Sequence, residues 1–182
     1  MHGNKTLIVV AVVAGIVVIA IIAYYLARFM RGSIKLTLPR TAFNPGDVIT
    51  GSFDLHAKKA IEGNKLVVRL IGTEITESRE DGKTETNSRE IYRSEVLIEP
   101  ARSYPAGHMA NYPFEIAAPT TPSMPDLPNN AVGQALKSVV GVIEAISDKS
   151  AQLKWKIEVR LDAKGIDLVT TQAVSININQ LI

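Results

Sequence analysis

The chain has 182 residues and no cysteine, with 20 Lys/Arg against 18 Asp/Glu. Disulfides, thiolate metal sites and a thiol nucleophile are therefore excluded. Lys5, Arg28 and Arg31 flank an apolar run, and from Gly32 onward 17 basic residues meet 18 acidic ones, so the formal +2 is no nucleic-acid-binding face.

A short tail, residues 1–6, precedes Leu7–Ala27, "LIVVAVVAGIVVIAIIAYYLA", which carries no charge. As a helix it would extend about 30 Å, the thickness of a bilayer's hydrocarbon core, and a transmembrane helix over 7–27 is expected. Tyr24 and Tyr25 stand at one end as interface residues, and Arg28 and Arg31 follow in a basic juxtamembrane segment, 28–32. A cleaved secretory signal is the alternative, but the run exceeds the roughly 7–15 residues of such a core. No small-x-small site precedes the arginines either. Arg28, Arg31, Lys35 and Arg40 outnumber Lys5, which favours a cytoplasmic C-terminal domain on a single-pass membrane protein. Ala11-xxx-Gly15 and Ala23-xxx-Ala27 have the spacing of paired membrane helices, a route to a homo-oligomer, although small residues are common in any spanning helix.

Beyond the anchor the pattern changes to period two, and a domain over 33–182 is expected. Ile34, Leu36 and Leu38 alternate with Lys35 and Thr37 before Pro39 breaks the strand. Asn44-Pro45-Gly46-Asp47 is a type II turn signal, since Pro presets φ at the second position and Gly permits φ > 0 at the third. Ile49, Gly51, Phe53 and Leu55 then share one face of a strand, and Leu66, Val68 and Leu70 one face of the next. Asp81-Gly82 marks a hairpin whose arms, around Glu77–Glu90, are too polar for a core. Glu77, Arg79, Glu80, Lys83 and Glu85 near its tip are candidate partner-binding residues, set against the plainer reading of a solvated charge run.

"YPFEI" at Tyr112–Ile116 leads into the proline-rich "APTTPSMPDLP", which cannot join a central sheet and marks a long connection. Val132, Leu136, Val139, Val140, Ile143 and Ile146 then fall on one helical stripe, predicting a helix over about 130–147. Its two readings are packing against the sandwich and a partner-binding or self-association face centred on Val139 and Ile143. A final hairpin turns near Lys164-Gly165. Trp155, Ile157, Val159 and Leu161 share its inner face, and Lys154, Lys156, Glu158, Arg160 and Asp162 its outer one. About seven half-buried strands without βαβ alternation predict an all-β, antiparallel, immunoglobulin-like β-sandwich with one inserted α-helix.

Four segments in order resemble the arrestin N-terminal domain, particularly its α-arrestin and arrestin-like branch. They are "FNPGDVITGSFDLHAKKAIEGNKLVVRLIGTE", "IYRSEVLI", "YPAGHMANYPFEIAAPTTPSMP" and "LKWKIEVRLDAKG", which together take in nearly all of the chain beyond the apolar run. The resemblance implies an arrestin-like sandwich and a non-enzymatic, cytoplasmic adaptor or scaffold. The departures are one sandwich where the family has two, the helix after the proline-rich connection, and no Pro-Pro-x-Tyr motif. On the first strand Lys35 is the only lysine, so phosphate sensing is not carried over.

No catalytic, metal or cofactor motif is present. His2 lies across the expected membrane from His56, at a strand end, and His108, in a loop. Asp162 and Asp167 flank a turn and could offer oxygens to a cation, but turn chemistry explains both. The function expected is a membrane-anchored adaptor that contacts the lipid bilayer through its N-terminal helix and protein partners through its domain, without nucleic acid. The alternative is an extracytoplasmic structural or envelope sandwich anchored the other way round.

Overall fold

A computed structural model of the protein describes residues 13–22, 29–80, 83–120 and 151–177. Among these described residues nine strands are formed: β1 (Gly32–Thr37), β2 (Ala42–Phe43), β3 (Val48–Ala57), β4 (Ile61–Glu80), β5 (Lys83–Glu99), β6 (Arg102–Tyr104), β7 (His108–Ala117), β8 (Ala151–Ala163) and β9 (Leu168–Ile176). They build two sheets, one ordered β1-β3-β7 and the other β2-β9-β8-β4-β5, with β6 also pairing to β4. The all-β sandwich expected from alternation is therefore present, with more strands than the seven anticipated. The difference is β2 and β6, too short to show a period of their own.

The inner faces are those the alternation marked. Ile49, Phe53 and Leu55 of β3 and Phe114 and Ile116 of β7 are buried on one side. Leu66, Val68 and Leu70 of β4 and Trp155, Ile157, Val159 and Leu161 of β8 meet them from the other. The Asn44–Asp47 turn closes with an Asp47 N–H to Asn44 carbonyl bond of 3.1 Å, and Gly46 has φ +80°, as its sequence requires.

The antiparallel expectation fails at one pair. β2 runs parallel to β9, matching Ala42 to Ser175 and Phe43 to Ile176. After Pro39 the chain leaves the three-stranded sheet and lies along the edge of the other, carrying Phe43 into the core. His108 also departs from expectation: it opens β7, opposite Ala57, rather than lying in a loop.

Both sheets share one polarity. Gly32, Ala57, Ile61, His108, Ala163 and Leu168 lie at one end of the strands, where the chain enters (the entry end). Thr37, Val48, Thr76, Ala117, Ala151 and Ile176 lie at the far end. No helix among the described residues is long and apolar enough to cross a membrane. Of the expected 7–27 span, residues 13–22 are helical, and all are exposed. The rest of that run, with Tyr24, Tyr25 and Arg28, lies outside the described residues, as do 121–150 with the expected helix, Val139 and Ile143.

Trp155 packs edge-on to Tyr92, with ring centroids 5.5 Å apart, directly over Gly72 of the neighbouring strand. A Cβ on Gly72 would stand 2.6 Å from the indole ring. Gly72→Ala is expected to destabilise the fold by about 1–3 kcal/mol through overpacking. Combining it with Trp155→Phe should cost less than the sum of the single changes, read by urea unfolding followed by circular dichroism. Additive losses would show that the two positions do not press on one another.

Candidate functional site

The charged hairpin expected from the sequence extends beyond the six-stranded sheet. Pairing of β4 with β8 stops at Thr76–Ala151, yet pairing with β5 continues to Glu80–Lys83. The last four residues of β4 thus form a ribbon with β5 alone, reaching about 13 Å past the sheet at ~3.3 Å per residue. The register sets Glu77 opposite Thr86, Ser78 opposite Glu85, Arg79 opposite Thr84 and Glu80 opposite Lys83. Glu77 and Glu85 are exposed, and the Asp81-Gly82 turn lies outside the described residues.

At the ribbon's base, Glu74 is buried and accepts a 3.0 Å bond from Arg89 Nε. Arg93 forks onto Glu90 through Nε and Nη2 at 2.7 and 2.8 Å. That fork holds the Glu90 carboxyl below its ordinary range, against the opposing effect of burial. Exposed pairs of this kind contribute little stability, so the ribbon is shaped more than it is stiffened.

The free edge of β5 divides into two parts. From Lys83 to Glu90 its register with β4 is unbroken, but shifts follow beside Ile91 and Ile98. Bulges twist an edge away from intruding strands. An added strand would therefore find its best template at Lys83–Glu90, where residues 85–90 are all exposed.

The outer face of the six-stranded sheet is internally satisfied. Arg69 Nε donates to Glu95 at 2.6 Å and its Nη1 to Glu158 at 3.1 Å, while Lys65 reaches Glu95 at 2.8 Å. The lysine bond, followed by the Arg69 bond, keeps Glu95 ionised below its ordinary range despite burial. Val67 and Ile71 also point outward yet are buried. Their register neighbours on the adjoining strands include Arg160 beside Val67, and Arg93 and Lys156 beside Ile71, side chains with long aliphatic stems.

A second polar cluster, which sequence reasoning missed, joins the sheets where β5 approaches β7. Glu99 Oε2 accepts from the Tyr104 hydroxyl at 2.8 Å and the Tyr112 hydroxyl at 3.0 Å, and Arg102 bonds its other oxygen. Burial opposes ionisation of Glu99, but these three donors outweigh it and hold the carboxyl below its ordinary range. Burial, then the Glu99 bond, pushes Tyr112 up to about 12 and Tyr104 higher still. Tyr104 also packs edge-on to His108 at 5.4 Å and lies beneath Arg102. No sequence signal marks this cluster, because its members come from three strands.

The remaining candidates do not converge. His56 pairs with Met109 and His108 with Ala57, so the two imidazoles leave opposite faces of the sheet. His2 lies outside the described residues. Asp162 accepts from Asn64 at 3.1 Å, whereas Asp167 bonds Arg160 and the Ala163 N–H. Among the described residues no three His, Asp or Glu side chains gather as metal ligands. Arg31, chosen as a membrane-interface residue, donates from Nη2 to the Lys164 carbonyl at 2.6 Å.

No family model matches this sequence, and no curated protein does. The fold is shared with the crystal structure of Spo0M, a sporulation control protein from Bacillus subtilis, at a TM-score of 0.53 and 14% identity. The match covers 80% of this chain but only 49% of Spo0M, so this chain spans about half the length of that neighbour.

Glu99→Gln should cost about 1–3 kcal/mol at neutral pH, the range for leaving buried donors poorly matched. Because the folded carboxyl titrates below its ordinary value, Glu99 stabilises fully above pH ~4.3 and loses this as pH falls through the lower folded value. The two tyrosines act in the opposite sense, stabilising fully below pH ~10 and less as pH rises beyond it. Urea midpoints of both proteins between pH 3 and 7 should therefore converge on acidification. A gap that stays constant would sink this account.

Proposed function

We propose that the protein is a membrane-anchored, non-enzymatic adaptor or scaffold whose arrestin-like sandwich binds protein partners at the cytoplasmic membrane surface. One observation carries the proposal. A strand edge in unbroken register, Lys83–Glu90, lies at the end of the sandwich opposite the chain's entry, and its Lys83–Thr86 part extends past the last β4–β8 pair. A chain inserted through residues 7–27 would hold that edge away from the bilayer, within reach of a partner.

Strand addition supplies affinity through backbone hydrogen bonds and leaves selectivity to flanking side chains. Here those include Glu77, Glu85 and Arg89 among the exposed positions. Tethering raises the effective concentration of an adaptor toward membrane partners, so modest intrinsic affinity suffices. The four arrestin-like segments and the β-sandwich shared with Spo0M support the fold side of this reading. The basic residues after the apolar run support its orientation.

A photo-crosslinking residue at Glu85 is expected to trap a discrete protein adduct in native membranes. Thr86→Pro should abolish the adduct while leaving the thermal midpoint within about 2 °C, since the ribbon lies outside the core. An adduct that persists through Thr86→Pro would point away from strand addition. On sealed inside-out vesicles the domain should be digested by added protease, and protection there would reverse the topology.

A further inference from the structure

The entry end of the sandwich brings exposed apolar and basic side chains together. Phe29, Met30 and Met109 are all large, apolar and more than half exposed. Around them stand Lys58 and Lys59, between β3 and β4, and Lys164, between β8 and β9. Backbone bonds gather these segments: Lys58 and Lys59 N–H groups donate to the Arg31 carbonyl at 3.0 and 3.2 Å, and Gly107 N–H donates to the Ala57 carbonyl at 2.7 Å. Arg31 in turn bonds the Lys164 carbonyl, so residues from both sheets close over the point of chain entry.

Lys58 Nζ bonds the Phe29 carbonyl at 3.1 Å and sits 3.5 Å from the centre of the Phe29 ring. The chain from Phe29 onward is thus fastened to the domain. Among the described residues none of Lys58, Lys59 and Lys164 has an ion-pair partner. The acidic groups at this end are otherwise engaged: Glu62 with Ser103, Asp162 with Asn64 and Asp167 with Arg160. Unpaired ammonium groups around exposed Phe and Met, just after an uncharged apolar run that ends in "YYLA" and is followed by Arg28, match the layering of a bilayer interface.

We propose that this end is a docking face for anionic lipid headgroups, with Lys58, Lys59 and Lys164 contacting phosphates and Phe29, Met30 and Met109 entering the headgroup boundary. The proposal rests on the reading that residues 7–27 insert in the bilayer, and adds a second, charge-dependent contact. The anchor alone would place the domain near any membrane. The lysines would seat it flat on an anionic one and fix the direction in which the far-end ribbon points.

The chain has no native cysteine, so Ala106→Cys, in the exposed turn beside Ala57, gives one site for an environment-sensitive fluorophore. The labelled full chain is reconstituted into phosphatidylcholine vesicles with or without phosphatidylglycerol, each containing a headgroup spin-labelled lipid as quencher. Strong quenching is expected only with phosphatidylglycerol, and it should fade at high salt. Lys58→Ala/Lys59→Ala/Lys164→Ala should shift the docked-to-undocked ratio by about a hundredfold, roughly fivefold per lysine. The double change Lys59→Ala/Lys164→Ala spares the Phe29 contact and should shift it about 25-fold on the same scale. Replacing all three lysines by arginine should preserve quenching. Quenching indifferent to lipid charge and to the lysines, or absent from every vesicle, overturns the docking face. Release of the chain by alkaline carbonate instead overturns the anchor reading beneath it.

Discussion

Strand β4 is the member on which the architecture leans. At 20 residues it is far longer than the usual five or six, and it pairs with β5 on one side and with β8 on the other, while β6 joins it at the entry end. A strand this long must satisfy different surroundings along its length. From Leu66 to Ile71 it is the centre of a sheet, with apolar residues inward and Arg69 outward between two carboxylates. From Glu77 onward it has lost β8 and nearly all apolar content. The same backbone that organises the core therefore delivers the projecting ribbon, and rigidity in the first part gives the second a fixed direction.

Electrostatics and packing cooperate along this strand rather than compete. Arg69 has a side chain only 12% exposed, yet it is not an isolated buried charge, since Glu95 and Glu158 flank it on the two neighbouring strands. A buried charge without such partners would cost several kcal/mol. On either side of Arg69, Val67 and Ile71 are buried beside strand neighbours that carry long cationic side chains. The sheet's outer face thus keeps Val67 and Ile71 from water without a covering helix among the described residues. Glu99 does the equivalent work between the sheets, using two tyrosines that each contribute an apolar ring to one layer and a hydroxyl to the junction.

What could be read from the sequence follows a simple physical divide. Period-two strands such as Trp155–Leu161, the Asn44–Asp47 turn and the exposed charged hairpin are local patterns, and all appear where expected. Contacts that depend on distant segments were illegible. The parallel pairing of Ala42–Phe43 with β9 needs a partner more than 130 positions away, and two residues carry no period. Glu99 looks like any surface glutamate until Tyr104 and Tyr112 are folded against it. Arg31 stands in the sequence beside an apolar run, which carries no sign of its bond to the Lys164 carbonyl. The adaptor reading draws on both kinds of evidence, with the hairpin's charge visible in sequence and its reach visible only in the register.

The short strap at Ala42–Phe43 has a consequence for how the molecule is made. Its neighbour Thr41 accepts a bond from Ser175 N–H at 2.8 Å, and Phe43 accepts one from Asn177 N–H at 2.9 Å. Synthesis at roughly 5–20 residues per second leaves some 7–27 seconds between the emergence of these partners. During that interval Phe43 has no β9 to lie against, and the side of the sandwich it closes stays open. Every nascent chain must pass through this unfinished state with apolar strand edges exposed. Closure of this side of the sandwich thus waits on β9, and truncation within β9 would leave Ala42–Phe43 without its strand partner.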